Sequence, residues 1–261
     1  MSDAKTLTLL KTLFEFPFQG PKWQSRFVVG SVLILAGFLI PIVPGIFVYG
    51  YVLRVMRQAL EGEDLTLPAW EDWGGLAMDG LRGMVVSLVY FLPGMAFSFG
   101  GMALYFASSF SFPLLMNSAN GESEAALALP LLFLVSMVVM FLSMAIGLVL
   151  SLLGALPLPV ATAHFVLRDK VRAAFCVREW WPLLRANKLG YFIAWVIVTG
   201  LGGILYLALI MIYYTFVLCC FIPFLAAPFG FYVSLVGAAL FGQTYRESVA
   251  ILSPQEPVTL D

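Results

Sequence analysis

The sequence predicts an all-α fold: a polytopic transmembrane helical bundle of four to six crossings, with short amphipathic helices at the interface. Three observations predict it. First, 61% of the 261 residues are hydrophobic, 11% are charged, and mean hydropathy is +0.96. A soluble domain is about 45–50% apolar and about 25% charged, so lipid is the expected solvent. Second, residues 27–53, 83–121, 125–167 and 189–245 contain no Lys, Arg, Asp or Glu. One crossing helix needs roughly 20 apolar residues, so the last window is expected to hold two. Third, these stretches show no ten-residue alternation of polar and apolar positions, which excludes an outer-membrane barrel. The chain is read as one integral membrane domain, 1–261. Its main apolar segments are 27–53, 83–110, 127–153, 190–217 and 222–244. Its interfacial loops are 54–82 and 168–188, and 247–261 is a polar tail.

Residues 1–26 are read as an N-terminal amphipathic segment. Leu7, Leu10 and Phe14 form a helical stripe over 4–16, with Leu9, Leu13 and Phe16 beside it. Phe16-Pro17-Phe18 interrupts the early apolar run, so no signal peptide is expected. Segment 27–53 carries a break, Pro41-Ile-Val-Pro44-Gly45. Proline removes a backbone donor and clashes with the preceding turn. The segment is therefore either one kinked crossing or a shallow hairpin. Prolines recur at 157, 159, 223 and 228, and the apolar stretches after the three breaks end at Arg54, Arg168 and Arg246. Trp70/Trp73 with Gly83 then matches Trp180/Trp181 with Gly190. This is either a weak internal repeat or the common grammar of membrane helices.

Lys and Arg in short loops set orientation. Residues 1–26 carry four and 168–188 carry six, while 110–126 and 218–228 carry none. Both termini are expected in the cytoplasm. Loop 54–82 leans the same way, which requires 27–53 to be a hairpin.

The stretch EGEDLTLPAWEDWGGLAMDGLRG, residues 61–83, holds six of the fifteen carboxylates and two of the six tryptophans. Leu67-Pro68 suits a helix start, and Glu71 and Asp72 then complement the helix dipole. Trp70, Trp73, Ala77 and Leu81 would share one face, with Asp72 and Asp79 on another. Indoles favour the headgroup zone with N–H toward water, so a tryptophan-anchored surface helix is expected. A cation site would use Glu61, Glu63, Asp64, Glu71, Asp72 and Asp79, but the run lacks the calcium-loop pattern. No His or Cys lies near enough to suit zinc.

The run GYVLRVMRQALEGEDLTLPAWEDWGGLAMDG, residues 50–80, resembles the signature of a prokaryotic integral-membrane family catalogued as domain of unknown function 4013. Gly50, Tyr51, Arg54, Gly62, Pro68, Trp70, Asp72, Trp73, Gly74, Asp79 and Gly80 carry the resemblance. RAAF at 172–175 and L-x-R-A-N-x-x-x-Y ending at Tyr191 also fit, and the similarity extends over about residues 15–250. The resemblance implies a multi-pass protein of the prokaryotic inner membrane, with no established activity and no assigned residue roles.

Other chemistry is sparse. His164 is the single histidine, four residues before Arg168, and has no partner in view. Cys219-Cys220, with Cys176 elsewhere, is no disulfide framework. Ser136, Ser143 and Ser151 lack a nucleophile-elbow turn and suit bonding within or between helices. Gly100-Gly101, Gly200-Leu-Gly202-Gly203 and Gly230 to Gly237 suggest close helix packing. Net charge is −1, which offers no footprint for nucleic acid. Residues 168–188 are basic with tryptophans, suiting anionic lipid or an acidic partner.

No catalytic, cofactor or metal residue is therefore predicted, and no cofactor. The candidate anchor and interface residues are Trp70, Asp72, Trp73, Asp79, Trp180, Trp181, Arg54 and Arg168, with His164 a weaker candidate. The expected function is non-catalytic: an accessory or scaffold subunit, or a membrane-organising protein. A small transporter or channel for an apolar or neutral solute is the alternative. Expected partners are the lipid bilayer and other membrane subunits or a second copy.

Overall fold

Residues 27–53 form a helical hairpin in the computed structural model, which describes residues 11–118, 123–214 and 221–253. Helix α1, Trp23–Ala36, stops at Gly37, and α2, Val43–Glu61, restarts with Pro44 in its first turn. The fourteen residues of α1 reach about 21 Å, short of a hydrocarbon core of about 30 Å. The turn between them exposes Phe38, Leu39, Ile40 and Ile42, and Leu39 is 85% exposed. A tip made only of apolar residues suits lipid. The kinked-crossing alternative is thereby set aside.

Six further α-helices complete the described chain. They are α3 (Trp73–Ser118), α4 (Ser123–Ala155), α5 (Leu158–Arg168), α6 (Val177–Ala186), α7 (Lys188–Tyr214) and α8 (Ile222–Leu252). Short 3-10 turns cover Phe16–Phe18 and Val171–Phe175. No strand occurs among the described residues. Four spans are long and apolar enough to cross a membrane: Trp73–Leu114, Pro130–Ala155, Lys188–Tyr214 and Ile222–Leu252. The chain is thus a helical membrane protein at the low end of the expected count. Two expected features lie partly or wholly outside the described residues: the first half of the 4–16 stripe, and Cys219-Cys220. Residues 11–15 are helical, with Leu13 and Phe16 buried.

The contacts divide into two compact units, Met1–Val86 with Pro159–Asp261 and Ser87–Leu158. In the second unit α3 and α4 run antiparallel along a seam of small side chains. Ser98 and Gly94 face Gly147, Ser151 also faces Gly94, Ser143 faces Gly101, and Gly154 lies against the Tyr90 carbonyl. Ser136 Oγ lies 2.6 Å from Ser108 Oγ and donates to its own helix at Phe133. The serines are thus taken up in packing.

In the first unit α8 is the central helix, touching α1, α2, α6 and α7. Gly237, Ala238, Ala239 and Gly242 keep it thin. A Cβ on Gly242 would press on Ala59 and the Met56 carbonyl, and one on Gly30 of α1 would enter the Phe231 ring. Helices α2 and α3 touch backbone to backbone, because a Cβ on Gly50 or Gly80 would collide with the Leu76 or Ile46 carbonyl oxygen. The expectation for Gly100, Gly200, Gly202, Gly203 and Gly230 is overturned, since nothing lies within 4 Å of a Cβ at any of them. These positions on α3, α7 and α8 face away from the neighbouring helices. Helix α8 continues to Leu252, so the apolar segment 222–244 and the start of the 247–261 tail lie on one helix.

Candidate functional site

The C-terminal end of α2, the first turns of α3, and α5, α6 and the end of α8 share one layer of ionic and aromatic contacts. Arg54 is its first hub. Its Nη2 donates to Asp72 Oδ2 at 2.7 Å, and its Nε lies 3.9 Å from Asp79 Oδ2. Asp72 is not in the first turn of a surface helix, as expected. It is the cap of α3: Oδ1 accepts from the Gly75 N–H at 2.9 Å, and its carbonyl accepts from Leu76. A Cβ at Gly75 would displace the Asp72 carboxylate and the Arg54 guanidinium from this arrangement. The Gly75 amide first, then Arg54, holds the Asp72 carboxyl below the usual range.

The surface helix predicted from Pro68 does not form. Residues 63–69 lack regular structure and the helix begins at Trp73, because Asp72 caps there. Trp70 is therefore off the helix, and the shared face with Ala77 and Leu81 excludes it. Its ring stacks on Tyr51, centroids 4.0 Å apart and planes 11° apart, with Trp73 on the stack at 5.6 Å. Such an aromatic pair contributes about 0.5–1.5 kcal/mol beyond burial. Its Nε1–H donates to the Arg26 carbonyl at 2.8 Å rather than to water. Tyr51 Oη donates to the Pro68 carbonyl at 2.8 Å, and the Arg26 guanidinium donates to the Leu67 carbonyl. The irregular strap 63–72 thus bridges the start of α1 to the later turns of α2, which closes the hairpin. Trp73 is 42% exposed and meets Phe47 edge-on at 5.4 Å.

Asp169 is the second hub. It lies 3.6 Å from Arg57 and 3.5 Å from Arg82, and sits at φ 51, a left-handed conformation that Asp tolerates. Arg57 also donates to the Val166 carbonyl at 3.5 Å. These contacts join 54–82 to 168–188 at one end of the unit. Partly exposed pairs contribute only about 0–1 kcal/mol each, so direction rather than strength is what they add.

Glu179 is the third hub. Its Oε2 lies 3.0 Å from His164 Nε2 and 3.9 Å from Arg168 Nη2. His164 is 3% exposed, and its Nδ1 lies 2.7 Å from Tyr245 Oη. The histidine that had no partner in the sequence is held on both ring nitrogens, by groups 15 and 81 residues away. Trp180 is 2% exposed and donates to the Ala174 carbonyl at 3.0 Å. Trp181 is 41% exposed, with the Arg185 guanidinium 5.2 Å from its centroid. Asn187 caps α7, accepting from the Gly190 N–H at 3.1 Å, and its carbonyl accepts from Tyr191.

All nine predicted residues therefore lie in this layer or beside it. Sequence reasoning missed Arg57, Arg82, Asp169, Glu179 and Tyr245. Asp169 and Glu179 are the two acids of an otherwise basic loop, and that minority was the available signal. Among the described residues no group of three or more His, Cys, Asp and Glu side chains is placed to hold a metal ion. No curated protein and no solved structure matches the chain. The model of one family, described as a protein of unknown function (DUF4013), matches residues 33–214. That match takes in the end of α1, the hairpin turn, all of α2, the strap, the second tryptophan pair and the cap at Asn187, and the chain belongs to this family.

Proposed function

We propose that the protein is a non-catalytic subunit or organiser of the prokaryotic inner membrane, held at the interface by its two tryptophan elements. One observation carries this reading: His164 and the carboxylates of the three hubs are engaged with basic or aromatic partners. Asp72 and Asp79 face Arg54, Asp169 faces Arg57 and Arg82, and Glu179 faces His164 and Arg168. A buried histidine bonded on both nitrogens suits a structural clasp better than a base awaiting substrate. The basic loops also favour the cytoplasmic side for this end of the unit. With 27–53 a hairpin, four crossings return the chain to the face where it began.

The test is gentle extraction of the native protein and mass spectrometry of what accompanies it. A stoichiometric protein partner supports an accessory subunit. A lone protein with one enriched small solute supports the transporter alternative instead.

A further inference from the structure

We propose that the outward face of α6 binds the phosphate headgroups of anionic phospholipid. This deepens the membrane-anchored reading above and rests on it. Residues 168–188 carry six bases and two acids. Both acids are paired, Asp169 with Arg57 and Arg82, and Glu179 with His164 and Arg168. Lys170, Arg172, Arg178, Arg185 and Lys188 are exposed, and none pairs with a carboxylate among the described residues. The face is thus more positive than its composition implies.

Helix α6 also carries a shallow, open apolar depression, lined by Val177, Arg178, Trp181 and Pro182. Arg185 stands over the Trp181 ring at its edge. Arg178, Trp181, Pro182 and Arg185 follow the spacing of one helical face. Trp180 and Leu183 fix the opposite face against the protein. An indole with two guanidiniums beside it suits a phosphate above an acyl chain: the charge meets the arginines and the ring enters the acyl boundary. An acidic protein would satisfy the bases, but the surroundings favour lipid. Only Asn187 separates α6 from α7, whose span is apolar and mostly exposed and whose second residue, Leu189, is 70% exposed.

The experiment reads lipid retention by native mass spectrometry on the full chain, offered phosphatidylglycerol and phosphatidylcholine in equal amounts. The wild type is expected to retain phosphatidylglycerol preferentially. Arg178→Gln with Arg185→Gln should lose about 30-fold of that preference, equivalent to ~1 kcal/mol per guanidinium at an anionic surface. Lys22→Gln, remote from α6, should leave it unchanged. If the double variant fails to fold, Trp181→Ala with the charges intact is expected to lower retention of both lipids. An unchanged preference in the double variant overturns the inference, as does an acidic protein occupying the face in place of lipid. That last result would leave the accessory-subunit reading standing. Lost preference alongside a measured solute flux would sink that reading and keep this site.

Discussion

The two tryptophan elements, 61–83 and 168–190, use the same parts in different ways. In each, one indole N–H donates to a backbone carbonyl, Trp70 to Arg26 and Trp180 to Ala174. In each, the second indole stands at the surface, Trp73 at 42% and Trp181 at 41% exposure. In each, an Asx side chain caps the following membrane helix through the glycine three residues on, Asp72 to Gly75 and Asn187 to Gly190. This equates Gly190 with Gly75 rather than with Gly83, which instead makes room for Tyr49 and Leu53. The difference is reach. Trp70 bonds 44 residues back and ties the strap to the hairpin, whereas Trp180 bonds six residues back, within its own loop. The first element is a tertiary clamp. The second is a local helix whose outer face stays available.

That contrast predicts the farthest-reaching effect at Trp70. Trp70→Ala removes a stacked ring and a long-range hydrogen bond, and should destabilise the first unit by about 3 kcal/mol. Thermal unfolding in detergent measures it, and hydrogen exchange should rise in α1 and α2 together. Trp180→Ala empties a more deeply buried site, so its loss should be at least as large, but exchange should rise within 171–186 and not in α1 and α2. Raised exchange in α1 and α2 for both variants would erase the distinction between clamp and local helix.

His164→Ala strips a partner from Tyr245 and from Glu179, and should cost about 2 kcal/mol. Its exchange signature should join α5, α6 and the end of α8.

A smaller effect separates the two caps by pH. The Asp72 carboxyl is held below its usual range by Gly75 and Arg54. Its contribution is therefore present above the unfolded carboxyl pKa and is lost as pH falls through the lower folded value. Protection of the Gly75 amide should persist through the ordinary aspartate range and fade only below it. The Gly190 amide, capped by a neutral Asn, should show no such step, nor should Gly75 in Asp72→Asn. Smallest of all, Trp73→Ala and Trp181→Ala should leave unfolding within about 0.5 kcal/mol, as surface changes do.

The membrane class and the spans were legible because apolar length is a local property. The hairpin was legible only as one of two options, since Pro41 and Pro44 announce a break but not its angle. Asp72 was misplaced for a definite reason: i, i+3 spacing drew Trp70 onto a helix that the Asp-x-x-Gly cap starts two residues later. Gly200 to Gly203 misled because composition carries no direction, while Gly50 and Gly80 proved to be the close contacts. The His164 clasp was illegible, because Tyr245 lies 81 residues away and nothing local points to it.

The central claim is that residues 11–22 and loops 54–82 and 168–188 lie on one membrane face, with 27–53 a hairpin and the two loops joined through Asp169. Single cysteines at Gln19, Glu63 and Lys170, with Cys176, Cys219 and Cys220 replaced by serine, test it directly. A membrane-impermeant maleimide is applied to sealed vesicles of each orientation. Labelling of all three positions from the same side is the predicted result. Labelling of Gln19 from the side opposite to Glu63 would make 27–53 a true crossing and contradict the account.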